Sequence, residues 1–217
     1  MARFSHIIFD LDGTLTDNTS GIKNSLRYAL EQMQITGFPE NTFEKFIGPP
    51  LQWGFSNLFG LNERNTNLAV EYFREYYSEN GWHQNIPYEG IYDMLEELNY
   101  SGVKMYIATS KLEKFAIKIV EHFEFDKYIL RLNGADYGGK KALKSELIAG
   151  LLESEQLMPS DHIVMVGDTV FDIQGGKDNQ LSTIAVGYGF GKKEELLNSN
   201  PDFFAEDVEE LYEILSC

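Results

Sequence analysis

Residues His6 to Leu15 read His-Ile-Ile-Phe-Asp-Leu-Asp-Gly-Thr-Leu, and this stretch constrains the chain more than any other. The apolar run Ile7 to Phe9 is too short for a stable helix and reads as a buried strand. It stops at two aspartates one residue apart, with Gly13 and Thr14 behind them. Side chains alternate faces along a strand, so Asp10 and Asp12 begin on the same side. Two carboxylates held that close repel unless a cation or a shared proton intervenes. Hard oxygen ligands at this density suit Mg²⁺. An Asp-Gly pair also makes hairpin turns. An EF-hand loop counted from Asp10 fails, because its glycine position holds Leu15 and its terminal glutamate position holds Gly21.

What surrounds this stretch narrows the function. The chain has 217 residues and an apolar fraction of 43%, enough for one large domain or one domain with an insert. Its net charge of −16 repels phosphate backbones, so nucleic-acid binding is not expected. The single cysteine, Cys217, allows no internal disulfide and fits a reducing compartment. No apolar span suggests a membrane crossing, and the first residues lack the apolar core of a signal peptide. A cytoplasmic enzyme acting on a small molecule, as monomer or homodimer, is the expectation.

From Asp17 to Trp82 the pattern is helical and dense in aromatics, with no convincing strand. A small helical bundle with its own core is expected over 17–82, between core segments 1–16 and 83–217. Any of Asp17, Asn18, Thr19 and Ser20 could cap its first helix. Gly48-Pro49-Pro50 is a stiff turn and the candidate substrate-facing loop. Arg64 and Arg74 are the bundle's plausible anion readers, against a default of ordinary surface residues. From Val103 onward strands alternate with helices, which predicts a parallel α/β sheet of Rossmann type with helices on both faces. Ligands in such sheets bind at the carboxyl ends of strands. Three strands end in polar punctuation: Asp10 and Asp12, Thr109 and Ser110, and Gly167-Asp168.

If those ends share one pocket, its chemistry follows. Asp10, Asp168 and a backbone carbonyl could hold one Mg²⁺. Thr109 and a nearby lysine could bind phosphate oxygens. Asp10 could attack phosphorus, while Asp12 gives a proton to the leaving oxygen and later takes one from water. Lys111 is one lysine within reach of such an anion.

These residues resemble the haloacid dehalogenase superfamily. Asp10-Leu11-Asp12-Gly13-Thr14-Leu15, with Asp17 after it, is similar to the first motif, and Thr109 at a strand end to the second. A lysine near the start of the 143–152 helix fits the third, and Gly167-Asp168-Thr169-Val170-Phe171-Asp172 resembles the fourth, Gly-Asp-x-x-x-Asp. The resemblance implies an aspartyl-phosphate on Asp10 and acid/base work by Asp12, whose carbonyl also reaches Mg²⁺. It implies metal ligation by Asp168 and Asp172, and phosphate contacts from Thr109, Ser110 and Lys144. Lys144 is preferred to Lys140 and Lys141 for its position before Glu146-Leu147-Ile148. The bundle over 17–82 resembles the family's cap. The implied activity is a Mg²⁺-dependent phosphatase for a small phosphorylated metabolite of the phosphoglycolate type. A sugar phosphomutase of the β-phosphoglucomutase kind and an inorganic pyrophosphatase are the alternatives on the same site. Asp12 argues against dehalogenation, since the dehalogenases lack the second aspartate.

Overall fold

The computed structural model describes residues 3–39, 41–47, 51–136 and 143–216. The chain divides into two compact units: residues 1–17 with 87–217, and residues 18–86.

In chain order the elements are β1 (His6–Phe9), β2 (Thr16–Asp17), α1 (Thr19–Gln32), α2 (Asn41–Phe46), α3 (Leu51–Leu58), α4 (Glu63–Glu79), β3 (Ile86–Pro87) and α5 (Ile91–Tyr100). There follow β4 (Lys104–Leu112), α6 (Glu113–His122), β5 (Ile129–Ala135), α7 (Lys144–Ser154), β6 (Ile163–Gly167), α8 (Val170–Asp178), β7 (Ser182–Val186), α9 (Lys193–Asn198), β8 (Phe203–Ala205) and α10 (Val208–Ser216).

The larger unit carries a six-stranded sheet in the order β5-β4-β1-β6-β7-β8. Each neighbouring pair runs parallel. This is a Rossmann-like α/β fold. Ile7, Ile8 and Phe9 are fully buried, as a central strand covered on both faces requires. Ile8 registers with Tyr106 on one side and Met165 on the other. That row packs against Leu147, Ile148 and Leu151 of α7. The chain winds outward from β1 through β4 to β5, then starts again at β6 on the other flank. The order of connection reverses at β1, so helices leave in opposite directions and open a crevice at its carboxyl end.

The strand β4 runs further than its apolar pattern suggests. It continues through Thr109 to Leu112, and its register with β5 shifts between Thr109 and Leu112. Ser110 and Lys111 fall in that irregularity, the kind that re-aims side chains next to functional sites.

The smaller unit holds α1 to α4. Its core is aromatic: Phe46 and Phe55 meet edge to face at 4.9 Å, Phe46 and Phe73 lie 6.0 Å apart, and Phe73 stacks on Tyr77 at 6.0 Å. Gly54 lies so close to Phe46 that a Cβ there would sit 2.6 Å from the ring. The N-cap of α1 is Asn18, whose side chain makes no capping hydrogen bond. Asp17 is the last residue of β2.

Candidate active site

The carboxyl end of β1 is where the sequence-predicted residues meet. Asp10 follows β1, its N–H donating to the Val166 carbonyl of β6 at 2.9 Å. Asp168 follows β6, and Asp172 sits one turn into α8. Thr169 is the N-cap of α8, and its N–H and Oγ1 donate to Asp172 Oδ2 at 2.9 and 2.7 Å. This capping box turns the Asp172 carboxylate back toward the sheet. Gly167 makes the return tight, since a Cβ there would lie 2.2 Å from Asp172 Cγ.

Lys144 starts α7 and is 5% exposed. Its Nζ lies 2.9 Å from Asp10 Oδ1 and 2.7 Å from Asp172 Oδ1, and donates to the Ala108 carbonyl at 3.0 Å. A solvated first-turn lysine is thereby ruled out. Lys140 and Lys141, like Gly48-Pro49-Pro50, lie outside the described residues.

Thr109 is buried one residue beyond the carbonyl that Lys144 holds. Its Oγ1 accepts from the Lys111 N–H at 3.2 Å. Ser110 is exposed within the irregular stretch of β4. Asp12 does not share the cluster of Asp10. The strand ends at Phe9, so strict alternation stops before the two aspartates and each carboxylate finds its own cation. Asp12 Oδ2 pairs with Lys111 Nζ at 2.5 Å, while Asp12 Oδ1 is buried with no hydrogen-bond partner. The role of Lys111 as partner of Asp12 was not legible from spacing. The signal that could have found it is a lysine two residues past the motif threonine, on a strand that bulges. Arg64 and Arg74 are exposed on α4.

Asp10, Asp168 and Asp172 each offer an oxygen within 4.8 Å of the others, and all three are buried. Burial pushes the Asp10 carboxyl up to about 6, with Lys144 pulling against it and Asp172 adding to it. Burial, then the charges of Asp172 and Asp10, pushes Asp168 up to about 8. Burial alone would lower the Lys144 ammonium, but the two carboxylates outweigh it and hold it above the ordinary lysine range. Lys144 pairs with Asp10 and Asp172, and with all three carboxylates ionised the cluster would carry two more negative charges than the Lys144 ammonium offsets. A divalent cation fits that deficit and the all-oxygen donor set.

The family model of haloacid dehalogenase-like hydrolases matches residues 7–186. The chain belongs to that family. Among relatives, a 5'-nucleotidase of Pseudomonas aeruginosa is 38% identical over 98% of this chain and 96% of its own. A phosphoglycolate phosphatase of Vibrio parahaemolyticus is 29% identical over 97% of this chain and 95% of its own. Among solved structures, a haloacid dehalogenase-like family hydrolase from Streptococcus pneumoniae superposes with a TM-score of 0.87 at 31% identity, covering 96% of this chain and 97% of that one. This haloacid dehalogenase-like chain is a phosphatase-type hydrolase. No helix among its described residues is long and apolar enough to cross a membrane.

Proposed function

We propose that this hydrolase is a Mg²⁺-dependent phosphomonoesterase that works through an aspartyl-phosphate on Asp10. The observation that carries the reading is the buried set Asp10, Asp168 and Asp172 around the single ammonium of Lys144.

Asp10 Oδ1 accepts from the Leu11 N–H at 2.7 Å and from Lys144. Its other oxygen, Oδ2, is therefore the nucleophile. It forms a bond to phosphorus as the ester P–O bond breaks. Asp12 donates a proton to the departing oxygen, and in the second step takes a proton from the water that attacks the aspartyl-phosphate. Oδ1 of Asp12, buried and without a partner, is the oxygen that carries that proton. Lys144 offsets charge on Asp10, and the Thr109 hydroxyl and Ser110 N–H hold phosphate oxygens. Asp10, Asp168 and the Asp12 carbonyl would hold the cation, with Asp172 supporting them. When bound, Mg²⁺ screens the negative charge that otherwise keeps a phosphate dianion away from Asp10.

The helical unit over 18–86 is the substrate-reading cap. Two substrates head the list: phosphoglycolate, and a nucleoside 5'-monophosphate, which the name of the Pseudomonas relative favours. The test measures inorganic phosphate released from a panel of phosphomonoesters with Mg²⁺ and with a chelator. Release that depends on Mg²⁺ is the expected result. Full activity in the chelator overturns the metal role. Primer-dependent conversion of β-glucose 1-phosphate to glucose 6-phosphate, with negligible phosphate release, overturns the hydrolase reading.

A further inference from the structure

The segment after β7, Gly187-Tyr188-Gly189-Phe190-Gly191, reads in sequence as a flexible turn. In the structure it is packed against Asp168. None of its three glycines has a positive φ, so space and not backbone freedom is what the missing side chains supply. A Cβ on Gly189 would lie 2.3 Å from Asp168 Cβ and 2.3 Å from the Gly13 carbonyl oxygen. A Cβ on Gly191 would lie 1.9 Å from the Asp168 carbonyl oxygen. Between them the Phe190 N–H donates to Asp168 Oδ2 at 2.7 Å. Tyr188 Oη donates to the Thr14 carbonyl at 2.9 Å and so ties the segment to the loop that carries Asp10 and Asp12. Gly187 faces away: its Cβ would meet the Phe204 ring at 2.7 Å.

We infer that Tyr188 to Gly191 is a positioning element that presents Asp168 to the metal through one oxygen. It rests on the metal role proposed above for Asp168. The two oxygens of Asp168 are held unequally. Oδ2 has the short bond from Phe190, while Oδ1 has, among the described residues, only Thr14 Oγ1 at 3.5 Å. The backbone of Gly189 and Gly191 walls in Asp168 at its Cβ and its carbonyl, and Gly13 stands against the carboxylate itself. Turning both oxygens to one ion would strain the Phe190 bond to Oδ2, which leaves Oδ1 as the ligand. Mg²⁺ takes single oxygens in a strict octahedron, whereas Ca²⁺ accepts both oxygens of a carboxylate at longer range. The segment thus selects Mg²⁺ over Ca²⁺ through its contacts with Asp168, Gly13 and Thr14.

The test is Mg²⁺ and Ca²⁺ titration calorimetry on the full chain, with no turnover required. Gly189→Ala must displace Asp168 or Gly13. It is expected to weaken Mg²⁺ by about tenfold or more, the usual scale for residues that orient metal ligands, and to weaken Ca²⁺ less. Gly187→Ala, in the same segment but against Phe204, leaves both affinities at wild type. Tyr188→Phe removes one hydroxyl and keeps the ring, so it reports even if Gly189→Ala does not fold. It lowers the Mg²⁺ to Ca²⁺ preference in the same direction. Equal losses in Gly187→Ala and Gly189→Ala, or an unchanged ion preference in Tyr188→Phe, overturn the inference. Asp168→Asn separates the two levels. If it keeps wild-type Mg²⁺ affinity, the metal role of Asp168 falls and the inference with it. If it loses Mg²⁺ while Gly189→Ala does not, the inference alone falls.

Discussion

In the helical unit, Phe46, Phe55, Phe59 and Phe73 pack ring against ring with centroids 4.9 to 6.4 Å apart. At the carboxyl end of the central strands of the larger unit, Asp10, Lys144, Asp168 and Asp172 are buried together at 8% exposure or less. The first arrangement is apolar and holds no charge that must be matched. The second tolerates little, because every buried charge needs a partner at the right place. Substitutions in the buried charge cluster should therefore act on chemistry out of proportion to their size, and those in the aromatic core should act on folding and leave chemistry alone.

The largest effect on turnover is expected at Asp10. Asp10→Asn keeps the shape and removes the nucleophilic charge, so turnover should fall by about 10⁴-fold or more, as when one member of a catalytic unit is lost. The fold stays, because Asn can still accept from Leu11 and Lys144 keeps Asp172. Wild-type turnover in this variant would remove the covalent step from the mechanism. Lys144→Ala comes next. It withdraws the one ammonium from Asp10 and Asp172, and turnover should fall by about 10²–10³-fold, the scale of a lost charge-stabilising donor. Unlike Asp10→Asn it also leaves buried carboxylates unpaired, at a cost of about 3–5 kcal/mol. A thermal melt separates the two variants: only the lysine change should lower Tm substantially in metal-free buffer.

A smaller effect comes from pH. Asp10 and Asp168 have pKa values raised in the fold, to about 6 and about 8. A group whose folded pKa lies above its unfolded value stabilises the protein at low pH, and that stability is lost as pH rises through the folded pKa. In a chelator, Tm should therefore fall as pH climbs toward about 8. Binding a cation must displace those protons, so the gain in Tm from added Mg²⁺ should widen over the same range. A gain that is constant with pH would mean the carboxylates are already ionised in the metal-free fold. No such dependence is expected from the aromatic unit.

The same contrast explains what was legible in the sequence. Asp10 to Thr14 and Gly167 to Asp172 could be read because each joins an apolar strand to polar residues at fixed spacing. The α/β order from Val103 onward could be read from the alternation of strand and helix. Lys144 could be chosen by its place at a helix start, although its burial could not be foreseen from a lysine. The Lys111–Asp12 pair was hidden because the irregularity in β4 leaves no periodic trace. The clamp on Asp168 was hidden because a glycine needed for space looks the same as a glycine needed for flexibility. The aromatic residues of the helical unit announced a core but not which rings touch, since dispersion sets no spacing.

The smallest effect on chemistry is expected from Phe55→Ala. Phe55 is fully buried in α3 and meets Phe46, Phe59 and Phe73. Removing it should cost about 3–5 kcal/mol, the usual range for a buried phenylalanine. That matches the cost expected for Lys144→Ala. Yet none of its ring partners carries a charge, and none belongs to the unit that holds Asp10. A small aryl phosphate, which asks little of a substrate-reading unit, should be hydrolysed with kcat within about threefold of wild type below the new Tm, a change of less than 1 kcal/mol in the barrier. With the helical unit as the proposed cap, the physiological ester should lose in KM. Parallel melts and two-substrate kinetics check this. If kcat for the aryl phosphate falls as steeply as in Lys144→Ala, the aromatic core is coupled to the chemistry, and the division between a folding unit and a reacting unit is wrong.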